Sequence, residues 1–150
     1  MEVFRISKEI YANTLVASGA ANRWNLQGQQ VIYTGSSRAL STLEFIVHSN
    51  SIIRTINYKV MVISIADNDV LITNVLSNQL PTNWKTTAAY PILQNIGNHW
   101  YTSHKSLILR VPSAVIQQEY NYIINTVHPD FNKYVKLIRS ENYFFDERLF

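Results

Sequence analysis

The chain has 150 residues, 47% hydrophobic and only 15% charged, with 13 Lys and Arg against 10 Asp and Glu and a formal net charge of +3. That length suits one domain around one core. The basic excess is spread over both halves, which argues against the dense phosphate-neutralising face of a nucleic-acid binder. The absence of cysteine excludes disulfides, thiol catalysis and thiolate metal sites.

The N-terminal MEVFRISKEI has no basic segment leading into an apolar stretch, so no signal peptide is read there. No apolar run approaches the roughly 18–20 residues of a membrane helix. The expectation is a soluble, cytoplasmic protein with no membrane partner and no direct nucleic-acid partner. Low charge content with 9 Tyr, 6 Phe and 3 Trp predicts that part of the surface is covered by a protein partner.

Val3–Ser7 predicts a first strand, and Ile10–Ser18 a short helix ending at Gly19. Residues 20–30 read as irregular, with Asn22, Asn25 and Gly28 as turn residues. Gln30–Thr34 is a strand rich in pleat-favouring side chains. Gly35, Ser36 and Ser37 break it and offer an N-cap. The helix that follows runs to about His48, with apolar residues at 39, 40, 43, 46 and 47 as its core stripe. Ser37, Ser41, Glu44 and His48 form a narrow polar stripe beside it, which sets a carboxylate at the edge of a buried face.

Asn57–Ala66 and Val70–Val75 read as strands joined by an Asp67-Asn68-Asp69 turn. Leu80-Pro81 opens a loop to Trp84, and Thr86–Lys105 predicts a helix with Pro91 in its first turns and Gly97 inside it. Ser106–Val111, Tyr120–Ile124 and Tyr134–Ile138 are further strands, with Tyr143–Phe145 as a last one. The sum is an α+β protein: a single domain over residues 1–150, with a small mixed or antiparallel β core and two or three helices.

The histidines at 48, 99, 104 and 128 make no HxH or HExxH pattern, so no metal is expected. Four glycines, at 19, 28, 35 and 97, build neither a GxGxxG motif nor a P-loop. Four residue types remain with chemistry to offer. Arg23, between Asn22 and Trp24, either grips a pyrophosphate bidentately or ties its loop to the core. Tyr33 ends a strand, where its ring can stack on a base or its hydroxyl bond a ribose. Glu44, the sole acid between Glu9 and Asp67, can stabilise an oxocarbenium centre or simply be solvated. Ser113 follows a strand and a proline, where it either caps a turn or bonds a ligand. Local patterning does not rank Glu44 against Glu119.

FRI near the start, RWN at 23–25, VIYTGSSRAL at 31–40 and LEFIVH at 43–48 carry a resemblance that continues through the chain. LPTNW at 80–84, LRVPSAVIQQEYNYIIN at 109–125, HPDF at 128–131 and FDERL at 145–149 complete it. In order and over essentially the whole length, the sequence resembles the RES-domain family. Position by position, the family's arginine falls on Arg23, its tyrosine on Tyr33, its glutamate on Glu44 and its serine on Ser113. The match favours Glu44 over Glu119. The chain departs from many relatives at Ala21-Asn22, where a glycine precedes the arginine, and at Asn125-Thr126, where they have Asn-Pro.

The resemblance implies a fold similar to ADP-ribosyltransferases of the diphtheria-toxin type. It implies a toxin of a bacterial toxin–antitoxin pair, neutralised by an Xre-like antitoxin and homodimeric within that complex. The implied activity consumes NAD as substrate by cleaving the nicotinamide–ribose bond, with water or phosphate as acceptor and no other cofactor. In that scheme Arg23 holds the pyrophosphate, Tyr33 contacts the nicotinamide or its ribose, Glu44 stabilises the oxocarbenium-like transition state and Ser113 orients the substrate. ADP-ribosyl transfer to a protein is the alternative, and a non-catalytic protein-interaction module is a second one.

Overall fold

In the computed structural model, which describes residues 1–49 and 55–149, the strands are β1 (Glu2–Lys8), β2 (Val31–Gly35), β3 (Tyr58–Ile65), β4 (Ile72–Asn74), β5 (Ile108–Pro112), β6 (Tyr120–Asn125) and β7 (Val135–Tyr143). The helices are α1 (Arg38–His48), α2 (Tyr90–Ser103) and the single turn α3 (Phe131–Tyr134). The strands join in one sheet in the order β4-β5-β6-β2-β1-β3-β7. Only β4 and β5 run parallel; the other neighbours are antiparallel. This is the expected mixed α+β core.

Alternation along the strands divides the buried side chains between two faces. One face carries Val3, Ile32, Met61, Ile63, Ile65, Ile108 and Ile124, covered by Ala12, Leu15, Ala17, Leu71, Phe131 and Tyr134. The other face is covered in two halves. Leu93 and Trp100 of α2 pack with Val31, Leu109, Val111 and Ile123. Phe45 of α1 packs with Phe4, Ile6, Tyr58, Val60 and Val62. Burial of this many aliphatic side chains, at about 1.5–3 kcal/mol each, is the main force holding the sheet.

Three expectations are corrected. The helix predicted over Ile10–Ser18 is one 3-10 turn, Glu9–Tyr11, followed by irregular chain. Its backbone serves tertiary partners instead of a helical ladder: the Val16 carbonyl accepts from Arg5 Nη1 at 3.1 Å and the Ala12 carbonyl from Ser140 Oγ. Gly19 does adopt a left-handed conformation (φ 74°), but there it closes a loop, its carbonyl accepting from Gly28 N–H at 2.7 Å. The Tyr143–Phe145 strand is not separate. Tyr143 ends β7, and Phe145 turns back to stack on Phe45, ring centroids 5.6 Å apart.

The third correction concerns α1. Of its apolar stripe only Leu40 is fully buried, while Ala39, Leu43 and Val47 face solvent. The helix instead turns Leu40, Ser41 and Thr42 inward. Both hydroxyls are satisfied there, Ser41 Oγ donating to the Phe4 carbonyl at 2.8 Å and Thr42 Oγ1 to the Arg38 carbonyl at 2.8 Å. Buried and hydrogen-bonded, they cost little, and their orientation rolls Glu44 toward the sheet.

Candidate active site

β1 and β2 are neighbours that barely pair. β1 is bonded to β3 from Glu2↔Ser64 to Lys8↔Tyr58, and β2 to β6 from Val31↔Asn125 to Gly35↔Asn121, yet β1 and β2 meet only at Phe4↔Gly35. Beyond that bridge the strands part. The gap is a cleft of about 610 Å³, open mouth included, lined by Arg5 and Ile6 of β1, Tyr33 of β2, Glu44 and His48 of α1 and Asn121 of β6. The cavity proper is about 180 Å³, so a ligand of ordinary small-molecule size extends out through the open mouth.

Local sequence explains how α1 reaches the cleft. Ser37 caps it, Oγ accepting from Leu40 N–H at 3.0 Å. Gly35 lets its first turn approach β2: a Cβ there would lie 2.6 Å from Ser41 Oγ and 3.1 Å from Ser41 N. No side chain but hydrogen fits that approach.

Glu44 is the acid of the cleft. Its Oε1 accepts from Ser113 Oγ at 2.6 Å and from Asn121 Nδ2 at 2.6 Å, and its Oε2 lies 3.3 Å from His48 Nε2. Burial alone would raise its pKa; the hydrogen bonds from His48, Ser113 and Asn121, with the charge on His48, outweigh burial and hold the carboxyl below its usual value. The site therefore presents an ionised carboxylate, one oxygen fully bonded and the other with lone pairs to spare.

Ser113 is fully buried and its hydroxyl is saturated. Oγ accepts from Val115 N–H and Ile116 N–H, each at 3.0 Å, and donates its one hydrogen to Glu44. It is thus both a turn cap and a partner of the acid. Glu119, the rival carboxylate, meets Ser113 only through the backbone, its carbonyl accepting from Ser113 N–H at 2.9 Å, and it does not line the cleft.

Tyr33 turns toward the cleft, but its hydroxyl is committed to the loop before it. It accepts from Trp24 N–H at 3.0 Å and donates to Asn25 Oδ1 at 2.8 Å. Burial pushes its phenol pKa up, so the group stays protonated and donating. Arg23 stands apart from the other three. Its guanidinium donates to the carbonyls of Trp84 at 2.8 Å and Lys85 at 3.0 Å and lies over the Tyr90 ring at 4.9 Å. Its neighbour Asn22, rather than Arg23 itself, lines the cleft. Ala21 and Asn22 keep negative φ, so the backbone at neither position requires a glycine.

α2 seats the Arg23 loop. Gln94 Nε2 donates to the Asn22 carbonyl at 2.9 Å, and Asn98 Oδ1 accepts from Gln29 Nε2 at 2.8 Å. Between them Gly97 faces the Trp24 carbonyl so closely that a Cβ would sit 1.7 Å from its oxygen.

Three residues of the site escape sequence reasoning about chemistry. Arg5 lines the cleft with no carboxylate partner among the described residues. Its strand alternation, a cation between buried Phe4 and Ile6, is the signal that would have found it. Asn121 carries none, being one polar residue in a strand. His48 was visible only as a member of the polar stripe. Among the described residues no three His, Cys, Asp or Glu side chains gather to share a metal ion.

Comparison with known proteins adds to this geometry. A chain of the solved M.tuberculosis MbcT-MbcA toxin-antitoxin complex superposes with a TM-score of 0.75 at 16% identity, over 95% of this chain and 83% of that one. "Toxin Res" of Yersinia enterocolitica is 31% identical over 153 residues, covering 99% of each sequence. The "Prs ADP-ribosylating toxin" of Sphingobium sp. is 32% identical over 142 residues, 92% of this chain and 88% of that protein. The RES domain model matches residues 2–146. The chain belongs to the RES domain family.

Proposed function

We propose that the cleft between β1, β2 and α1 binds NAD, and that the chain is a toxin that consumes it by cleaving the nicotinamide–ribose bond. The observation that carries this reading is Glu44: a carboxylate kept ionised in a half-buried cleft, with Oε1 fixed by Ser113 and Asn121 and Oε2 left to act. Negative charge fixed in such a setting favours positive charge developing on a substrate.

As the C1′–N1 bond breaks, its electron pair passes to the nicotinamide ring nitrogen, which becomes neutral. The ribose takes on oxocarbenium character, and Glu44 Oε2 stabilises it directly or through a ribose hydroxyl. An oxygen of water or phosphate then bonds to C1′; attacking water releases its proton to solvent, and a phosphate oxyanion has none to release. The Tyr33 ring forms the wall for nicotinamide. Arg5 in the cleft and Arg23 beside it supply unneutralised positive charge for the pyrophosphate. Ser113 acts through Glu44, its own hydrogen being spent there.

The test is product analysis after incubation with NAD, with and without phosphate. ADP-ribose or ADP-ribose-1″-phosphate is expected to accumulate, and Glu44→Gln is expected to slow NAD loss by about a hundredfold or more, since one preorganised group contributes about 3–4 kcal/mol. Near-normal turnover by a folded Glu44→Gln protein would sink the assignment. The name of the Sphingobium relative favours a second reading, ADP-ribosyl transfer to a protein, in which labelled ADP-ribose ends on protein. A binding module without catalysis predicts no NAD loss at any protein concentration.

An Xre-like antitoxin that covers the cleft, with the toxin a homodimer within the complex, fits the same reading. The toxin-antitoxin complex of similar fold supports a protein partner, and the solvent-facing stripe Ala39, Leu43 and Val47 beside the cleft offers apolar surface for one. A toxin that spends NAD acts where the cell keeps it, so the cytoplasm is its proposed place of action.

A further inference from the structure

Glu44 is held from a strand to which the scheme above gives no role. Asn121 sits on β6, opposite Gly35 of β2 and Val111 of β5. Its Nδ2 donates to Glu44 Oε1 at 2.6 Å. A carboxylate only accepts hydrogen bonds, so this contact fixes the sense of the amide, with Nδ2 toward Glu44 and Oδ1 away. Oδ1 is then buried with no protein group donating to it, alone in this among the buried side-chain nitrogen and oxygen atoms of the described residues.

A buried acceptor without a donor has given up water and gained nothing, which is why such atoms are rare. A leucine of similar shape would avoid that loss. For folding alone the amide is a poor occupant of this position; for directing a carboxylate it is a good one. Ser113 Oγ meets the same oxygen from the end of β5, also at 2.6 Å. Two donors on Oε1 from two directions fix the rotation of the carboxylate about its terminal bond. The other ionisable groups on the cleft wall are Arg5 of β1, Tyr33 of β2 and His48 of α1, and of these only His48 meets Glu44, at Oε2.

We infer that Asn121 is a positioning residue: with Ser113 it fixes Glu44 Oε1 so that Oε2 faces the substrate. The inference deepens the NAD reading and rests on it for its kinetic consequences, though the contact with Glu44 does not. Asn121 thus contributes to kcat through Glu44, its Nδ2 being spent on Oε1 and its Oδ1 buried.

Two substitutions test this. Asn121→Leu removes the donor and the orphaned acceptor together. The expected protein melts within a few degrees of the wild type, relief of the orphaned acceptor offsetting the donor lost to Glu44, with kcat lowered about tenfold or more and KM for NAD changed less than about twofold. Asn121→Asp brings a second carboxylate against the first, and two such groups share a proton. The acid limb of the pH–rate profile then moves up by about one unit or more. The 13C NMR titration of the Glu44 carboxyl, without NAD, is expected to move upward in both variants.

If the leucine variant does not fold, Asn121→Asp carries the test alone. A Glu44 carboxyl that titrates as in wild type in the folded variants overturns the inference. So does a lower melting temperature with kcat and pH profile unmoved, which is the mark of a purely structural residue. A wild-type protein that leaves NAD intact defeats the functional reading instead, and the NMR titration still decides whether Asn121 holds Glu44.

Discussion

Gly97→Ala should damage the protein even though alanine is the better helix former. Inside an exposed helix the exchange gains about 1 kcal/mol. Here the new Cβ would lie 1.7 Å from the Trp24 carbonyl oxygen and 2.7 Å from its carbon. To reach the 3.4 Å of ordinary contact, the loop backbone must retreat from α2 by about 1.7 Å. That retreat stretches the Gln94 to Asn22 bond and the Trp24 to Tyr33 bond, now 2.9 and 3.0 Å. Overpacking costs about 1–3 kcal/mol, and each strained bond adds about 1 kcal/mol. After the helix gain, the balance is a loss of about 3 kcal/mol, or about 6–12 °C in Tm for a chain of this size. Thermal unfolding measures the first effect and NAD consumption the second, which should fall as the Arg23 loop leaves its seat. A variant that melts a few degrees higher with undiminished activity would refute the whole account of α2 as the loop's support.

Tyr33→Phe removes the acceptor of the buried Trp24 N–H and the donor to Asn25 Oδ1. Its expected cost is about 1–3 kcal/mol, read as a lower denaturant midpoint with unchanged m-value; an unchanged midpoint would show the hydroxyl to be idle. Arg5→Met keeps the length and loses the charge in the cleft. KM for NAD should rise about tenfold or more with a smaller effect on kcat, as expected when a ground-state contact is lost, and an unaltered KM removes Arg5 from the anion site. Glu44 also links stability to pH. Its folded pKa is depressed, so the stability gained by its ionisation is complete above the unfolded value of about 4.3 and is lost as pH falls through the lower folded one. The stability difference between wild type and Glu44→Gln should therefore shrink on acidification through that window, and a difference constant with pH contradicts the depressed pKa.

Much of the fold is legible in residue order because it rests on local signals. β2, β3, β5 and β6 are runs rich in branched and aromatic side chains, β2, β5 and β6 ended by Gly, Pro and Asn, and Ser37 is an N-cap by type and place. Ile10–Ser18 misleads because its helical pattern is weaker than the demands of tertiary partners, Arg5 and Ser140, on its carbonyls. The stripe on α1 misleads for a related reason. A periodicity count cannot register that Ser41 has the Phe4 carbonyl waiting for it, which makes a hydroxyl a better buried residue there than Val47 or Leu43. In the site, Arg23, Tyr33, Glu44 and Ser113 stand out by residue type and place, and the family pattern is needed to favour Glu44 over Glu119. The geometry brings Glu44 and Ser113 into contact, sets Tyr33 on the cleft wall and turns Arg23 to the segment at 84–85. Asn121 and Arg5 were hidden because a side chain on a strand declares its face but not what waits across a gap in the sheet.

That gap depends on how its two sides are tied. A sheet with one bridged pair between neighbouring strands would close or come apart unless each strand were fixed from elsewhere. β1 is fixed by β3 and β2 by β6, so the cleft lies between two separately paired ribbons. α1 then binds the ribbons to each other. It springs from the end of β2 through the close approach at Gly35, and Ser41 reaches the carbonyl of Phe4 on β1, the residue that makes the bridge. One turn later Glu44 is bonded to Ser113 and Asn121 on the β5 and β6 side. The polar stripe at 37, 41 and 44 is therefore one device with three contacts, running from cap to clamp to acid. Any displacement of the ribbons moves Phe4, Ser113 and Asn121 relative to one another and shifts Glu44 with them. The acid is aimed by the same contacts that hold the cleft open, which is why a helix with so few buried apolar side chains sits at the centre of the site.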